Sequence, residues 1–274
     1  MKINKKGFLA GTLLAAGLAL SYSASAQIAQ VAAQPGVTPQ MTAAWWQWAV
    51  SIPTSVHPLR YYPDTDVGAV DPSSVDCMVG QHGDVWFLGG KFKQVDVSPP
   101  GDAQTARQTA NTTEPDIIRE CEVPLGMPIL MPVFNAGCNA AEEIYLNNIP
   151  DEWDYRTRVG FLRDDCLKVL TDAIVKSTLE AKFGLAGQEM PLNIQRVRTA
   201  QPFSITYARD QILPDGWEPN PTLALADGYW VLVRPLRAGE YVLETFGEAP
   251  AFEFSVRIRY LLKVIAPEDQ VGLQ

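Results

Sequence analysis

Two histidines, four cysteines and 31 carboxylates set the chemistry that this 274-residue chain can attempt. His82 lies in Gln81-His82-Gly83-Asp84, and a histidine beside a carboxylate is the arrangement of a general base. In a glycine-flanked turn the same residue is ordinarily an exposed polar group. Asp227 stands between Ala226 and Gly228, ahead of Tyr229 and Trp230, and Glu152 stands in Asp151-Glu152-Trp153-Asp154. Acids next to aromatic rings suit a glycoside hydrolase or lyase, whose two carboxylates can come from any sequence separation. The plainer role for Asp227 is a turn residue that bonds nearby backbone N–H groups. G-x-S-x-G, H-E-x-x-H and a phosphate-binding glycine loop are all absent. The balance falls against an enzyme, and these three residues are the catalytic candidates.

Binding chemistry has a different carrier. Trp45, Trp46 and Trp48 cluster on a segment that reads as a helix ending before Pro53. Trp45, Trp48, Ala49 and Ile52 share one face, and Trp46 points elsewhere. Trp46, Trp153 and Trp230 are therefore the candidates for stacking on a sugar or another flat ligand, although tryptophan bodies more often serve packing. Asp64, Asp66 and Asp71 flank Gly68 at a spacing that calcium loops use, but the remaining ligands of an EF-hand are missing, so a solvated acidic loop is the default. No other cofactor is implied.

Lys2, Lys5 and Lys6 precede the apolar run 8–20 and the small residues Ala24-Ser25-Ala26, which together read as a cleaved bacterial signal peptide. That run is short of the ~20 residues a membrane span needs, and nothing later reaches that length, so no membrane insertion is expected. The formal charge is −9, and the signal peptide contributes only positive charge. So acidic a product disfavours nucleic acid as a partner. Export to the periplasm or beyond makes disulfides the first reading of Cys77, Cys121, Cys138 and Cys166. Three pairings are open; Cys77 with Cys121 and Cys138 with Cys166 is preferred, because each bridge then ties one loop-rich stretch. A zinc site lacks close C-x-x-C pairs, and an activated thiol would leave an odd cysteine.

The elements that must position these groups are mainly strands. From 252 to 265 apolar residues hold every even position, the mark of an antiparallel strand with one face in a core. Residues 229–236 and 240–246 read as a hairpin around Gly239. Residues 85–88 suit a buried strand, and 192–197 and 203–207 are further candidates. Residues 127–134, broken by Pro128 and Pro132, suit an edge or bulged strand. Asn139 and Glu142 resemble a capping pair that opens a short helix. A longer helix is expected over 160–179, with a buried stripe of Leu162, Cys166, Val169, Leu170, Ala173 and Ile174. The expected architecture is a mainly β, antiparallel sandwich with two or three helices packed on it or inserted, more coarsely α+β. Residues 1–26 form the signal peptide, 27–39 a flexible leader, 40–266 one β-rich domain with a surface insertion at 91–118, and 267–274 a tail.

One set of motifs is familiar as a group. Trp45-Trp46-x-Trp48, Cys77-x-x-Gly80-Gln81-x-Gly83-x-Val85-Trp86-Phe87-Leu88-x-Gly90, Cys121-x-Val123-Pro124-x-Gly126, Pro132-x-x-Asn135-x-x-Cys138 and Ala226-Asp227-Gly228-Tyr229-Trp230 together resemble an uncharacterised family of secreted bacterial proteins. The resemblance implies secretion and a β-rich fold, and no reaction. The leading expectation is a secreted, disulfide-stabilised β-sandwich that binds carbohydrate or another extracellular polymer. The alternatives are a carboxylate-dependent polysaccharide hydrolase or lyase, and a structural component of an envelope assembly. Oligomeric state is not legible.

Overall fold

A computed structural model describes residues 36–58, 76–90, 117–145, 149–175, 178–209, 221–235, 237–250 and 254–266. All of them fall in the unit Val31–Gln274. The expected signal peptide, the expected acidic loop of Asp64, Asp66 and Asp71, residues 91–116 of the expected insertion and the expected tail lie outside the described residues. Along the chain the strands are β1 (Trp86–Phe87), β2 (Ile117–Pro124), β3 (Ile129–Asn139), β4 (Thr178–Leu185), β5 (Met190–Pro191), β6 (Gln195–Arg198), β7 (Phe203–Ile205), β8 (Thr222–Val233), β9 (Gly239–Ala249) and β10 (Phe254–Ile265). The helices are α1 (Pro39–Ser51), α2 (Ala140–Tyr145), α3 (Tyr155–Phe161) and α4 (Leu167–Ile174), the last two joined by a π-turn over Leu162–Cys166.

Strict alternation makes β10 the axis of one sheet. Val256, Ile258, Tyr260, Leu262 and Val264 are all buried. The sheet runs β2-β10-β9-β4-β5, and the other runs β1-β3-β8-β6 with β7 also on β8. Ile129, Met131, Val133, Val231 and Val233 of the second sheet meet Ile117, Val123, Phe183, Leu243 and Tyr260 of the first in a shared core. The sheets approach so closely that a Cβ on Gly247 would lie 2.5 Å from the Val133 carbonyl oxygen. The fold is thus a mainly β sandwich with short helices, as composition and alternation imply.

Several details differ from the sequence reading. Two pairs are parallel, β1 with β3 and β2 with β10. Each adds an edge strand through a long connection, which does not require the reversal a hairpin imposes. β8 and β9 do not pair; they belong to different sheets, and the stretch around Gly239 carries the chain across the sandwich. The hairpin partner of β9 is β10. β3 is interior to its sheet; its register slips between Pro132 and Phe134, which accommodates the missing proline donor. β2 begins at Ile117, two residues inside the expected insertion. The end of the leader is docked: Val37 is buried and its N–H donates to Gln195 Oε1 at 2.9 Å.

The largest shift is in the long helix. It starts at Tyr155, capped by Asp154, and has ended by Thr178, where β4 begins. The π-turn adds one residue to the turn, so the buried face advances from Leu162 to Leu167 and Leu170. Val169, expected in the stripe, is 62% exposed as a result.

Candidate functional site

The outer face of the β1-β3-β8-β6 sheet is covered by α1. Thr38 caps that helix by accepting from Met41 N, Pro39 opens it, and Ile52 is already extended ahead of Pro53. Trp45 and Trp48 are spent on packing. The Trp45 Nε1–H donates to the Leu88 carbonyl at 2.7 Å, the Trp48 Nε1–H to the Val79 carbonyl at 3.1 Å, and Trp45 meets Trp230 edge-on at 5.3 Å. Trp230 is fully buried. Its ring has no face for a ligand, which corrects its place among the binding candidates: β8 is interior, so its even residues point into packed helix.

Trp46 is different. It is half-buried and lies on Gly137 of β3, where an added Cβ would come within 3.0 Å of the ring. Small size is what that position requires. The ring also borders the cluster of Val50, Ile205, Tyr207 and Ala224. Asn139 is two residues beyond Gly137, on the same face of β3. Its Nδ2 donates to Tyr207 Oη and to Glu142 Oε2, each at 2.9 Å, while its Oδ1 accepts from the Glu142 N–H at 2.9 Å. Asn139 therefore caps α2, as its spacing to Glu142 implies, and also ties the cap to Tyr207. Thr222 Oγ1 accepts from the Ala141 N–H at 3.1 Å. Trp46, Phe203 and Glu142 keep partial exposure, whereas Asn139, Tyr207 and Glu143 are buried.

This patch has unusual electrostatics. Glu142 is pushed up to about 7, first by burial and then by the charge of Glu143, against the opposing bond from Asn139. Near neutral pH it therefore holds a proton for much of the time and both donates and accepts. Burial, with the Glu142 charge behind it, raises the Tyr207 phenol well above its ordinary value, so it stays protonated. A partly exposed indole packed beside a phenol that is itself bonded to an amide and, through it, to a neutral acid can stack on a flat apolar face while those polar groups hydrogen-bond the hydroxyls around it.

The catalytic candidates are not gathered here. Asp227 sits inside β8, fully buried, where Arg196 Nη2 and Nε reach its carboxylate at 2.7 and 3.2 Å and the Thr171 hydroxyl donates at 2.8 Å. It is neither a turn residue nor an exposed acid. The glycine after it serves close approach, since a Cβ on Gly228 would lie 2.5 Å from Asn135 Cβ. Glu152 is exposed in a turn. His82 is exposed in a turn between Gly80 and Gly83, both at positive φ, with Nδ1 2.8 Å from its own Gly80 carbonyl. No hydrogen bond or ion pair among the described residues joins any two of these three. Trp153 is half-buried and packs edge-on to Phe161 at 6.1 Å.

The four cysteines form two disulfides, Cys77 with Cys121 and Cys138 with Cys166. The first ties the turn before β1 to β2; the second ties the end of β3 to the π-turn. Glu143 Oε1 lies 3.2 Å from the Cys166 sulfur. Cys138, Glu143 and Cys166 are the one metal-sized group of ligand atoms among the described residues. Both sulfurs are committed to the disulfide, so the donor set is a single carboxylate and does not fit a thiolate metal centre. Two disulfides fit a periplasmic or extracellular address; no helix among the described residues is long and apolar enough to cross a membrane.

Of these residues only Trp46 stands out in the sequence as a binding candidate. Glu142 was legible only as a cap, Tyr207 only as a strand residue, and no local signal brings residues 46, 139 and 207 together. No family model, no curated protein and no solved structure matches the chain.

Proposed function

We propose that the protein is exported and binds a carbohydrate or a similar hydroxyl-rich polymer at the patch formed by Trp46, Tyr207, Asn139 and Glu142. The observation that carries this reading is a partly exposed indole packed beside Tyr207, whose hydroxyl is tied through Asn139 to Glu142. The signal-like start, the two disulfides and the resemblance of the motif set to secreted bacterial proteins support the address. Four of the other described tryptophans, Trp45, Trp48, Trp86 and Trp230, are buried, which concentrates the binding role on Trp46. Polysaccharide pull-down and a glycan array on the intact mature protein test it. Retention on at least one polymer is expected, with Trp46→Ala weakening it tenfold or more, equivalent to about 1.4 kcal/mol, and Trp153→Ala leaving it unchanged. Retention on none, or equal retention by Trp46→Ala, rejects it.

A second reading has its own observation. Glu142, raised to about 7, is protonated as a glycosidase general acid must be, and Glu143 is a second carboxylate beside it. Release of reducing ends from a retained polymer, falling as pH rises through 7 and lost in Glu142→Gln, would make the patch an active site. Binding without product release keeps it a binding site.

A further inference from the structure

Arg119 enters the interior from β2, in register with Tyr260 of β10, and is 1% exposed. Its Nη1 donates to the Gly89 carbonyl at 2.8 Å, the Gly90 carbonyl at 3.0 Å and the Tyr260 hydroxyl at 2.9 Å. The Tyr260 hydroxyl in turn donates to the Gly89 carbonyl at 2.8 Å. Gly89 and Gly90 follow β1, and β1 and β2 are terminal strands of their sheets. The guanidinium thus clasps one edge of each sheet.

All of the guanidinium's own bonds use one nitrogen. Nε and Nη2 are equally buried and meet no hydrogen-bond acceptor among the described residues, and no carboxylate among them pairs with the group. Burying a cation with part of its donor set unmet is costly, and buried arginines are ordinarily matched by an anion. The two unmet atoms are also a matched pair. The Nε–H and one Nη2–H project in parallel from one edge of the planar fork, the geometry that takes two oxygens of one carboxylate. Nearby His57 supplies no competing positive charge. Burial holds it down to about 4 against the bond to the Ala49 carbonyl, and the Arg119 charge pushes the same way.

We propose that the Nε/Nη2 edge of Arg119 binds a small planar oxyanion of the carboxylate class, held where the edges of the two sheets meet. The anion completes the donor set of the guanidinium and so stabilises the junction between sheets. The site is separate from the Trp46 patch and does not depend on the polymer-binding reading.

Sodium formate and sodium phosphate, each replacing sodium chloride at constant ionic strength, are the probes, applied to the intact protein. Formate is expected to raise the thermal midpoint by several degrees along a saturating curve. It is also expected to move the Nε–H NMR resonance of Arg119, assigned by its loss in Arg119→Lys. Arg119→Gln should lose the formate increment, and Trp46→Ala should keep it. An Nε–H resonance unmoved by formate overturns the proposal even if Arg119→Gln fails to fold. So does an equal increment in Arg119→Gln, or a response to phosphate with none to formate.

Discussion

The two ends of β3 are built on opposite principles. At its start Ile129, Leu130 and Met131 are completely buried among apolar side chains of both layers. At its end Gly137, Cys138 and Asn139 give way to an amide, two glutamates, a phenol and a disulfide. The apolar end depends on area and shape, which tolerate no missing volume. The polar end depends on a few bonds whose partners are all specified, and it is there that solvent reaches an aromatic ring. One strand therefore serves as an apolar beam at one end and a polar, solvent-touched platform at the other.

The largest stability loss belongs to the apolar end. Trp230→Ala is expected to cost about 3–5 kcal/mol in denaturant unfolding, whereas Trp46→Ala, whose ring is half-exposed, should cost clearly less. Equal costs would erase the distinction. Next comes the disulfide at the polar end. Replacing Cys138 and Cys166 together by serine should cost about 2–4 kcal/mol, read as a lowered urea midpoint with an otherwise native spectrum. Asp227→Asn, which keeps shape but removes the charge facing Arg196 and Thr171, should cost about 2 kcal/mol. A neutral result would mean that β8 holds its register without the pair.

The smallest effect is the most discriminating, because the two ends respond to pH with opposite sign. Glu142 has a folded pKa near 7, above its unfolded value, so folding binds a proton and stability from this group falls as pH rises from about 4.5 to 7. His57, bonded to the Ala49 carbonyl in the layer packed with Leu130, is held near 4, below its unfolded value, so its contribution is lost as pH falls from about 6.5 to 4. The two partly cancel between pH 4.5 and 6.5. Glu142→Gln removes one of them, and its unfolding free energy should therefore rise with pH across that window more steeply than that of the wild type. Parallel profiles would show that Glu142 titrates normally.

What could be seen in advance follows from the range of the forces involved. The alternation that defines β10 and the cap pair at Asn139 and Glu142 are local, and both were legible. Of the three pairings the cysteines allow, the preferred one, in which each bridge ties one loop-rich stretch, is the one formed. The π-turn was not, since a single added residue leaves composition and period almost unchanged while rotating Val169 out and Leu167 in. Asp227 misled for a related reason. Asp-Gly is a turn signal, but here the glycine answers the close approach of Asn135 and the aspartate answers Arg196, an arginine on another strand. Burial of Glu142 and Arg119 depends on long-range packing, which no short window contains.

The parallel pairing of β2 with β10 also dictates an order of events. Residues 117–124 find their sheet partner only in residues 254–265, close to the end of the chain. Until those residues have been synthesised, β2 has no ladder, Arg119 has no Tyr260 to bond, and the sandwich lacks one of its edges. Such long-range closure is slow, so this edge of the sandwich stays open until the last strand has been made. The topology itself acts as a timer, because this edge cannot close before the last strand exists.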